Sequence, residues 1–429
     1  MKTLVLAAGR SRRIKPIEDK NFLKFAGKTL LEHQLDTLQR VGLTDIILAG
    51  GAHNLAQLQE IAEIYKAQVV EQKNLDEGMA GAVLAAQDLV GDEALLIFSS
   101  NDVLAQSAFE SIQLASQSEA DAYLLAYRVQ DYFPGGYLKV DGKRITGIVE
   151  KPIPGEEPSD LINLVLHLHK KPQALFQALQ KVSTDRDDRY EVALDTLMKN
   201  QVFEAVPYEG YWQALKFPWH ILALMQFSLK MSGARIHPSA QIAETALIKG
   251  DVVIEEGAKI MDHAVVQGPA YIGKNTIVAN NALVRESMIG ANSVVGFGTE
   301  VARSYIGEKC WFHSNYVGDT VMGDNCSFGA GAVCANLRLD EKEITSGGQP
   351  SGRTKLGPIL GENIRIGVNT SLMPGIRIGS NSMIASGLTL AQDLDPGSFV
   401  TGKTELVIKE NRAILDPSAR EKMQSKLTE

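Results

Sequence analysis

Residues 254–284 read IEEGAKIMDHAVVQGPAYIGKNTIVANNALV, and the spacing of their apolar residues decides the fold of the second half of the chain. A branched apolar residue recurs at every sixth position: Ile254, Ile260, Val266, Ile272, Val278 and Val284. This period is typical of a β-helix, in which each side of a triangular coil buries one branched side chain. A β-sandwich would instead show alternation with a period of two. The stretch therefore predicts a left-handed parallel β-helix of hexapeptide repeats.

The same period extends beyond this stretch and suggests the domain boundaries. It begins near Arg235 and, after several slips, resumes at Leu360. We therefore assign residues 235–402 to the β-helix. Residues 338–357 interrupt the repeat and are predicted to form a loop that leaves one coil. The charged segment 403–429 is predicted to be a helical tail.

Residues 1–230 follow a different pattern, in which short apolar strands alternate with amphipathic helices. One helix begins with the capping-box residues Thr29 and Glu32. Such alternation predicts an α/β domain with a doubly wound, mostly parallel sheet, whose ligands bind beyond the carboxyl ends of the strands. Two alternating runs around the Asp-Gly pair at 141–142 predict an inserted β-hairpin.

The composition of the 429-residue chain excludes several classes of protein. A formal net charge of -8 argues against a nucleic-acid partner. No run of apolar residues is long enough for a membrane span. The cysteines Cys310, Cys326 and Cys334 have no CxxC spacing, which is typical of reduced, packed thiols in a cytosolic protein. We expect a cytoplasmic protein with small-molecule partners, no nucleic acid and no membrane.

The chain opens with an apolar strand that leads directly into a cluster of cations. The stretch is TLVLAAGRSRRIKP, residues 3–16, and its cations are Arg10, Arg12, Arg13 and Lys15. In a secretory signal the charges precede a longer apolar core, so a targeting role is excluded. Two interpretations remain: a solvated turn, or a glycine-containing loop whose cations bind phosphates.

The motif LAAGRSRRIKP, followed by Lys20 and FLKFAGKTLL, resembles the signature LAAGxGTRLxP of the sugar-1-phosphate nucleotidylyltransferases. The resemblance implies that the nucleotide lies against Ala7, Ala8 and Gly9. It also implies that Arg13 and Lys20 are catalytic and act on the phosphates. In this reaction a sugar phosphate attacks the α-phosphorus of a nucleoside triphosphate, so positioned cations and Mg²⁺ supply most of the catalysis.

Further segments match that family in chain order: EQKNLDEGMAGAV, FSSNDV, GIVEKP and SDLINLVLHLH. The residues that the resemblance implies are Gln72 and Gly78 for the nucleotide, Asp102 for Mg²⁺, and Gly136, Glu150, Lys151 and Asn163 for the sugar. A carboxylate at the end of a buried strand is well placed to bind a metal ion in this fold.

One segment departs from the family pattern. YWQALKFPWHIL resembles W-x-D-V-G-x-P-W-D-L, whose aspartate is the second metal ligand. This chain has Ala214 at that position, and a methyl group cannot bind Mg²⁺. The neighbouring Gln213 is expected to face the other side of a strand. Three alternatives therefore stay open. Nucleotidylyl transfer is retained, with water and phosphates completing the coordination of the ion, or it is slowed, or it is lost.

Residues 312–343, FHSNYVGDTVMGDNCSFGAGAVCANLRLDEKE, resemble the acetyltransferase segment of the bifunctional enzymes that make UDP-N-acetylglucosamine. The resemblance implies that His313 is the base that takes a proton from the sugar amine. It places Tyr316 and Asn336 against the sugar and Lys342 nearby. An isolated histidine at this position would more simply be a surface residue.

The segment that follows resembles the archaeal type of this acetyltransferase. The resemblance implies that the small residues Ala330 and Ser386 leave room for the pantetheine arm of acetyl-CoA. Arg285 and Arg303 are further candidates for binding the sugar phosphate. The family also implies a homotrimer built through the β-helix, with each active site at a subunit junction.

The sequence thus predicts acetylation of glucosamine 1-phosphate by acetyl-CoA, followed by uridylyl transfer from UTP to give UDP-N-acetylglucosamine. One alternative is a nucleotidylyltransferase for another sugar 1-phosphate (with dTTP, UTP or GTP) in which the β-helix is a scaffold. Another is an acetyltransferase with an impaired nucleotidylyltransferase half. A non-enzymatic assembly protein is the least compatible with the motifs. The identity of the sugar and of the base stays open.

Overall fold

The computed structural model describes residues 1–186, 188–403, 407–412, 416 and 418–426. Its first half contains a nine-stranded sheet with the order β3-β2-β1-β4-β8-β5-β9-β7-β6. The strands are β1 Lys2–Leu6, β2 Ile46–Gly50, β3 Gln68–Glu71, β4 Leu95–Ser99, β5 Ala122–Arg128, β6 Gly136–Asp141, β7 Arg144–Glu150, β8 Leu161–His169 and β9 Phe203–Tyr208. Strands β1 to β4 are parallel, but β8 runs antiparallel to β4 and β5. The sheet is therefore mixed rather than mostly parallel.

Helices cover both faces of this sheet. They are α1 Leu30–Arg40, α2 Leu55–Tyr65, α3 Gly78–Ala85, α4 Gln87–Val90, α5 Gln106–Ala115, α6 Gln173–Lys181, α7 Arg189–Leu197 and α8 His220–Ser232. Successive residues of β1 point to opposite faces: Val5 packs with α1, α2 and α5, and Leu4 packs with α3, α6 and α7. This is the predicted doubly wound α/β fold.

Two local predictions for this half are confirmed. The Thr29 hydroxyl accepts a hydrogen bond from the Glu32 backbone N–H, and the Glu32 carboxylate accepts one from the Thr29 N–H, which completes the capping box of α1. Strands β6 and β7 form the predicted hairpin, in which Gly136 pairs with Glu150 at the open end. The hairpin thereby carries two predicted sugar-binding residues to one place.

The second half is a left-handed parallel β-helix with three faces. The first face stacks Arg235–Ile236, Val252–Ile254, Ala270–Ile272, Met288–Ile289, Tyr305–Ile306, Val321–Met322, Ile359–Leu360 and Arg377–Ile378. The second stacks Leu247–Lys249, Val265–Gln267, Leu283–Arg285, Glu300–Ala302, Tyr316–Gly318, Val333–Cys334, Ser371–Leu372 and Thr389–Leu390. The third stacks Gln241–Ile242, Lys259–Ile260, Ile277–Val278 and Val294–Val295, then Ser327–Phe328, Arg365–Ile366, Met383–Ile384 and Phe399–Val400. Bridges through Trp311 join the two parts of the third face.

The residues of the six-residue period fill the interior of the coil, as predicted. All six in the stretch 254–284 are buried in one apolar cluster. Where the period slips, one side of the coil is one residue shorter than the others. The step from Val284 to Ile289 and that from Val301 to Ile306 are examples. Many corners are asparagines with positive φ, such as Asn275 at 56°.

The predicted loop 338–357 is present, whereas the described part of the predicted tail is only partly helical. The loop leaves the coil and forms a short hairpin of Thr345–Ser346 with Gln349–Pro350. In the tail, α9 spans Ala419–Ser425, and residues 407–412 have no regular secondary structure. Residues 404–406, 413–415, 417 and 427–429, for which a helical tail was also predicted, lie outside the described residues.

The two halves pack against each other through the outer side of the first coil face. Helix α8 buries Leu222 and Met225 in a cluster that also contains Tyr271 and Tyr305 of the coil. Lys24 of the α/β half forms an ion pair of 2.7 Å with Glu308. Apolar burial of this kind is the main source of stability at such a contact.

Other expectations concern cysteines and membrane spans. The three cysteines are free and buried inside the coil. Among the described residues, the helices are too short or too polar to cross a bilayer.

Two buried histidines of β8 predict acid sensitivity. Loss of solvation lowers the pKa of His167 to about 3 and that of His169 to about 4. Since the unfolded chain binds these protons near pH 6.5, their contribution to stability is complete above that pH and is lost as the pH falls below it. We expect the free energy of unfolding to fall by up to about 1.4 kcal/mol per pH unit for each histidine between pH 6.5 and 4.5.

Urea unfolding of wild type and of His169→Leu at several pH values measures this effect. The variant should lose part of the pH dependence, while His167 and His220, whose pKa burial also lowers, keep their contributions. The half-buried His237 of the coil offers a control, and His237→Ala should leave the slope unchanged. An equal slope in wild type and His169→Leu would contradict the assignment.

Candidate active sites

A cleft of about 1110 Å³ opens at the carboxyl ends of β1 and β4. Eleven of the residues predicted for nucleotidylyl transfer line it: Ala8, Gly9, Arg13, Lys20, Gln72, Gly78, Asp102, Gly136, Glu150, Lys151 and Asn163. Ala7 does not line the cleft and is buried beneath it. The sequence-predicted residues therefore converge on one concave surface, where doubly wound sheets bind ligands.

Buried amides hold the glycine-containing loop that follows β1. The side-chain amides of Asn21 and Asn54 both donate to the carbonyl oxygen of Ala7, at 3.1 and 2.9 Å. Asp19 accepts hydrogen bonds from both of these side chains. Ser11 adopts the left-handed conformation, with φ 51°. The loop is thus fixed before any ligand binds.

The opening cations divide into paired and unpaired groups. Arg10 pairs with Asp76 at 2.7 Å and Lys15 pairs with Glu18 at 2.6 Å. Within the described part of the chain, no carboxylate lies within 4.0 Å of Arg13 or of Lys20. Burial lowers the pKa of Lys20 to about 8. Arg13 is exposed to the cleft and Lys20 is buried beside it, and cations without a paired carboxylate favour an anionic ligand.

Asp102 is the one predicted metal ligand, and its surroundings are unusual. Its Oδ1 accepts a hydrogen bond of 2.8 Å from the indole of Trp212. Burial raises the pKa of this carboxyl group. Directly opposite it in a two-stranded ladder lies the methyl group of Ala214, while the Gln213 amide donates to the Ala214 carbonyl oxygen. Position 214 therefore offers no second carboxylate.

The predicted sugar-binding residues form one group in the cleft. A Cβ atom on Gly136 would lie 3.1 Å from Glu150 Oε2 and 3.8 Å from the Cβ of Asn163, so these side chains border the glycine. Lys151 pairs with Glu150 at 3.0 Å. The Asn163 amide oxygen lies 2.7 Å from Nε2 of the buried His167.

Gln72 has a local structural contact in addition to its place in the cleft. Its side-chain amide donates to the carbonyl oxygens of Asn74 and Gly78, at 3.0 and 2.8 Å. Its two N–H groups are thus engaged within the loop that contains Gly78, and its amide oxygen is the group left for a base.

Lys216 is a cleft residue that the sequence reasoning missed. Its ammonium donates to the carbonyl oxygen of Pro134 at 3.0 Å and lies 3.7 Å from the centre of the Phe133 ring. Burial lowers its pKa to about 8. A signal was present, because the matched pattern has glycine where this chain has Lys216.

The second constellation lies on the β-helix, where His313 occupies a corner after Trp311. The His313 side chain is exposed, and its backbone N–H donates to the buried Asn315 side chain. The Asn315 amide donates to the carbonyl oxygens of Gly329 and Ala332, at 2.9 and 3.0 Å. This asparagine therefore fixes the backbone that carries the imidazole.

Tyr316 and Asn336 meet on the adjacent face of the coil. The Asn336 amide donates to the Tyr316 hydroxyl at 3.2 Å and to the carboxylate of Asp319. Asp319 is buried and binds the guanidinium of Arg303 through two hydrogen bonds of 2.8 and 2.7 Å. Arg285 pairs in the same way with Glu300. Both arginines considered for the sugar phosphate are thus neutralised by carboxylates.

The residues predicted for acetyl-CoA lie on the same corner as His313, one coil after another. Backbone hydrogen bonds connect Ser314 with Gly331, and Ala330 with Asn369. The next coil brings Ser386 to this edge, and both Ala330 and Ser386 are exposed. Lys342 is exposed on the loop 338–357, and no hydrogen bond in the described part of the chain joins its ammonium to Tyr316 or Asn336.

Two family models match separate parts of the chain. Residues 3–190 match the model of the MobA-like NTP transferase domain, and residues 232–351 match that of the GMPPB C-terminal domain. The first half of the chain is therefore similar to NTP transferase domains.

Curated relatives match over nearly the whole chain. A bifunctional sugar-1-phosphate nucleotidylyltransferase/acetyltransferase of Sulfurisphaera tokodaii is 31% identical over 412 residues, which is 93% of this chain and 99% of the relative. The bifunctional protein GlmU of Methanococcus maripaludis is 31% identical over 96% of this chain and 100% of the relative. That of Methanocaldococcus jannaschii is 30% identical over 95% of this chain and 99% of the relative. The chain is a transferase and belongs to the family of bifunctional sugar-1-phosphate nucleotidylyltransferase/acetyltransferases.

Proposed function

We propose that this enzyme acetylates glucosamine 1-phosphate from acetyl-CoA and then transfers a uridylyl group from UTP to give UDP-N-acetylglucosamine. We assign uridylyl transfer to residues 1–230 and acetyl transfer to residues 235–402, and give the tail 403–429 no catalytic part. The observation that carries the proposal is the convergence of both sets of motif residues. One set lines a single cleft, and most of the other set shares one corner and the adjacent face of the coil.

In the cleft, uridylyl transfer needs positioned positive charge more than covalent chemistry. A phosphate oxygen of the sugar 1-phosphate attacks the α-phosphorus of UTP, a new P–O bond forms, and the bond to the β-phosphate oxygen breaks to release pyrophosphate. We assign the stabilisation of the developing charge to Arg13 and Lys20, which have no contacting carboxylate among the described residues. The fixed loop of Ala7, Ala8 and Gly9 would hold the nucleotide.

Mg²⁺ is the metal that the reaction implies, and Asp102 would hold it. This carboxylate keeps one oxygen free of the Trp212 indole, and Ala214 adds no ligand. These residues fit an ion bound by one carboxylate together with phosphate oxygens and water, which is common for Mg²⁺. When bound, the ion neutralises phosphate charge.

At the coil corner, we assign proton transfer to His313. The sugar amine attacks the thioester carbonyl carbon, a C–N bond forms and the C–S bond breaks, and imidazole takes the proton that the amine loses. Coenzyme A leaves as the thiolate and is protonated. Tyr316 and Asn336 would hold the sugar, Lys342 would approach on ligand binding, and the pantetheine arm would lie along the edge that carries Ala330 and Ser386.

We further propose a homotrimer built through the β-helix, with His313 at the junction between copies. The supporting observation is apolar surface at this corner, where Phe297 is 61% and Trp311 49% exposed. Exposed aromatic residues beside a polar functional group are typical of an interface. Free cysteines and the proposed substrates favour a cytoplasmic location.

A second candidate function is acetyl transfer alone, with an impaired nucleotidylyltransferase half. Ala214 opposite Asp102 favours it.

Purified enzyme with glucosamine 1-phosphate and acetyl-CoA, assayed for free thiol, tests the first transfer. N-acetylglucosamine 1-phosphate, Mg²⁺ and each nucleoside triphosphate in turn, assayed for pyrophosphate, test the second. Thiol release without pyrophosphate from any nucleotide would select the second candidate.

The substitution His313→Ala separates the two activities. We expect thiol release to fall by about 10² to 10⁴, the usual contribution of a general base, with pyrophosphate release unchanged. His237→Ala removes another histidine of the coil, half-buried and far along the chain from His313, and should leave both assays at wild-type rates. Full acetyl transfer in His313→Ala would overturn the assignment.

Asp102→Asn gives the converse separation. The amide oxygen can still accept from Trp212, so the fold is kept while the charge that would bind Mg²⁺ is removed. We expect pyrophosphate release to fall by roughly 100-fold or more, and acetyl transfer to stay within about twofold of wild type. Asp141→Asn, at the exposed end of β6, is the matched control. Unchanged pyrophosphate release in Asp102→Asn would exclude Asp102 as the ligand.

A further inference from the structure

Lys216 occupies a position in the cleft that the opening motif does not explain. It follows Trp212 and Ala214 at intervals of two residues, and successive residues of an extended chain point to opposite sides. Trp212 donates to Asp102, and Ala214 lies opposite the same aspartate. The strand ends at Ala214, and Lys216, two residues further on, lines the same cleft as Asp102.

The groups that contact the Lys216 ammonium are neutral. The Pro134 carbonyl oxygen accepts from it at 3.0 Å, and the Phe133 ring lies 3.7 Å away. No carboxylate within the described ranges lies within 4.0 Å of it. An ammonium has three donors, so at least one remains for a ligand. A carbonyl oxygen and an aromatic face do not neutralise a cation, so the positive charge of this ammonium is available to an anion.

The location of Lys216 indicates which anion it meets. Phe133 and Pro134 are separated by Gly135 alone from Gly136, which borders Glu150 and Asn163 in the sugar-binding group. The charges that act on the Lys216 ammonium come from Asp102, Arg13, Glu150 and Lys151. It thus lies between the residues assigned to the nucleotide and those assigned to the sugar.

We propose that Lys216 binds the phosphate group of the sugar 1-phosphate and supplies there the positive charge for which the matched motif uses a second metal-binding carboxylate. The proposal rests on the proposed nucleotidylyl transfer in this cleft. Two changes within one motif then form a pair: Ala214 removes a carboxylate, and Lys216 introduces a cation. A carboxylate at position 214 would face that cation and neutralise it.

The test is equilibrium binding measured by calorimetry in the presence of EDTA, so that it does not depend on turnover or on Mg²⁺. The probes are N-acetylglucosamine 1-phosphate, unphosphorylated N-acetylglucosamine, and a UTP analogue with a methylene bridge between the α- and β-phosphates. In wild type we expect the phosphorylated sugar to bind much more tightly than the free sugar.

Lys216→Met keeps a long, unbranched side chain at this position and removes the charge. We expect it to weaken binding of the sugar 1-phosphate by about 10- to 100-fold, as for loss of a charged hydrogen bond. Binding of the free sugar and of the UTP analogue should change by less than about threefold, because neither presents the phosphate in question. Lys216→Arg should retain most of the affinity.

Lys143→Met, in the exposed turn of the β6–β7 hairpin, changes the net charge by the same amount and should bind all probes as wild type does. Equal binding of the sugar 1-phosphate by wild type and Lys216→Met would overturn the proposal and leave the proposed function intact. A parallel loss for the UTP analogue would also overturn it, by assigning Lys216 to the nucleotide. A wild-type enzyme that binds none of the probes would overturn both.

Discussion

One inward apolar side chain on each side of the coil sets the position of everything on the outside of the β-helix. Because the interior is a continuous stack from Val252 to Leu390, a coil cannot rotate without exposing a branched side chain to water. The corners are therefore held in columns. His313, Ala330 and Ser386 share one column although 73 residues separate the first from the last in the sequence. The short sides between Val284 and Ile289 and elsewhere are absorbed without loss of this order.

The same stack provides the surface on which the α/β half is carried. Residues that alternate with the inward ones on the first face, such as Tyr271 and Tyr305, point outward and meet α8. Gly27 shows how close the contact is: its φ is 87°, and a Cβ atom there would lie 2.9 Å from the Tyr271 hydroxyl. The loop that leads from the opening cations to α1 is thus packed on the coil, so each half restricts the other.

Most of the fold and much of the cleft were predictable from the sequence, because both depend on local order along the chain. The six-residue period corresponds to one inward residue on each side of the coil, and the strand–helix alternation corresponds to helices packed on a sheet. The motif around Gly9 corresponds to a single turn. The mixed character of the sheet was not predictable in this way, since the antiparallel insertion of β8 depends on pairings between distant strands. The ion pairs of Arg303 with Asp319 and of Arg10 with Asp76 were not predictable either, because no regular spacing in the sequence indicates which side chains meet.

Charge pairing distinguishes the two sites in a way that no motif records. In the cleft, the described residues leave Arg13, Lys20 and Lys216 without a contacting carboxylate, so anionic ligands complete the electrostatics of the folded state. On the coil, Arg303 is already neutralised by Asp319, and the same carboxylate orients the Asn336 amide toward Tyr316. Each proposed reaction has a sugar 1-phosphate as substrate: glucosamine 1-phosphate in acetyl transfer and its N-acetylated product in uridylyl transfer. In the function proposed above, the unpaired cations of the cleft would bind the phosphate of its sugar substrate, whereas Tyr316 and Asn336 would offer neutral hydrogen-bonding groups to the hydroxyls of the sugar bound at the coil. The phosphate is the nucleophile in uridylyl transfer, so the cleft would bind the group that reacts there. In acetyl transfer the amine reacts and the phosphate takes no part in the bonds that form and break.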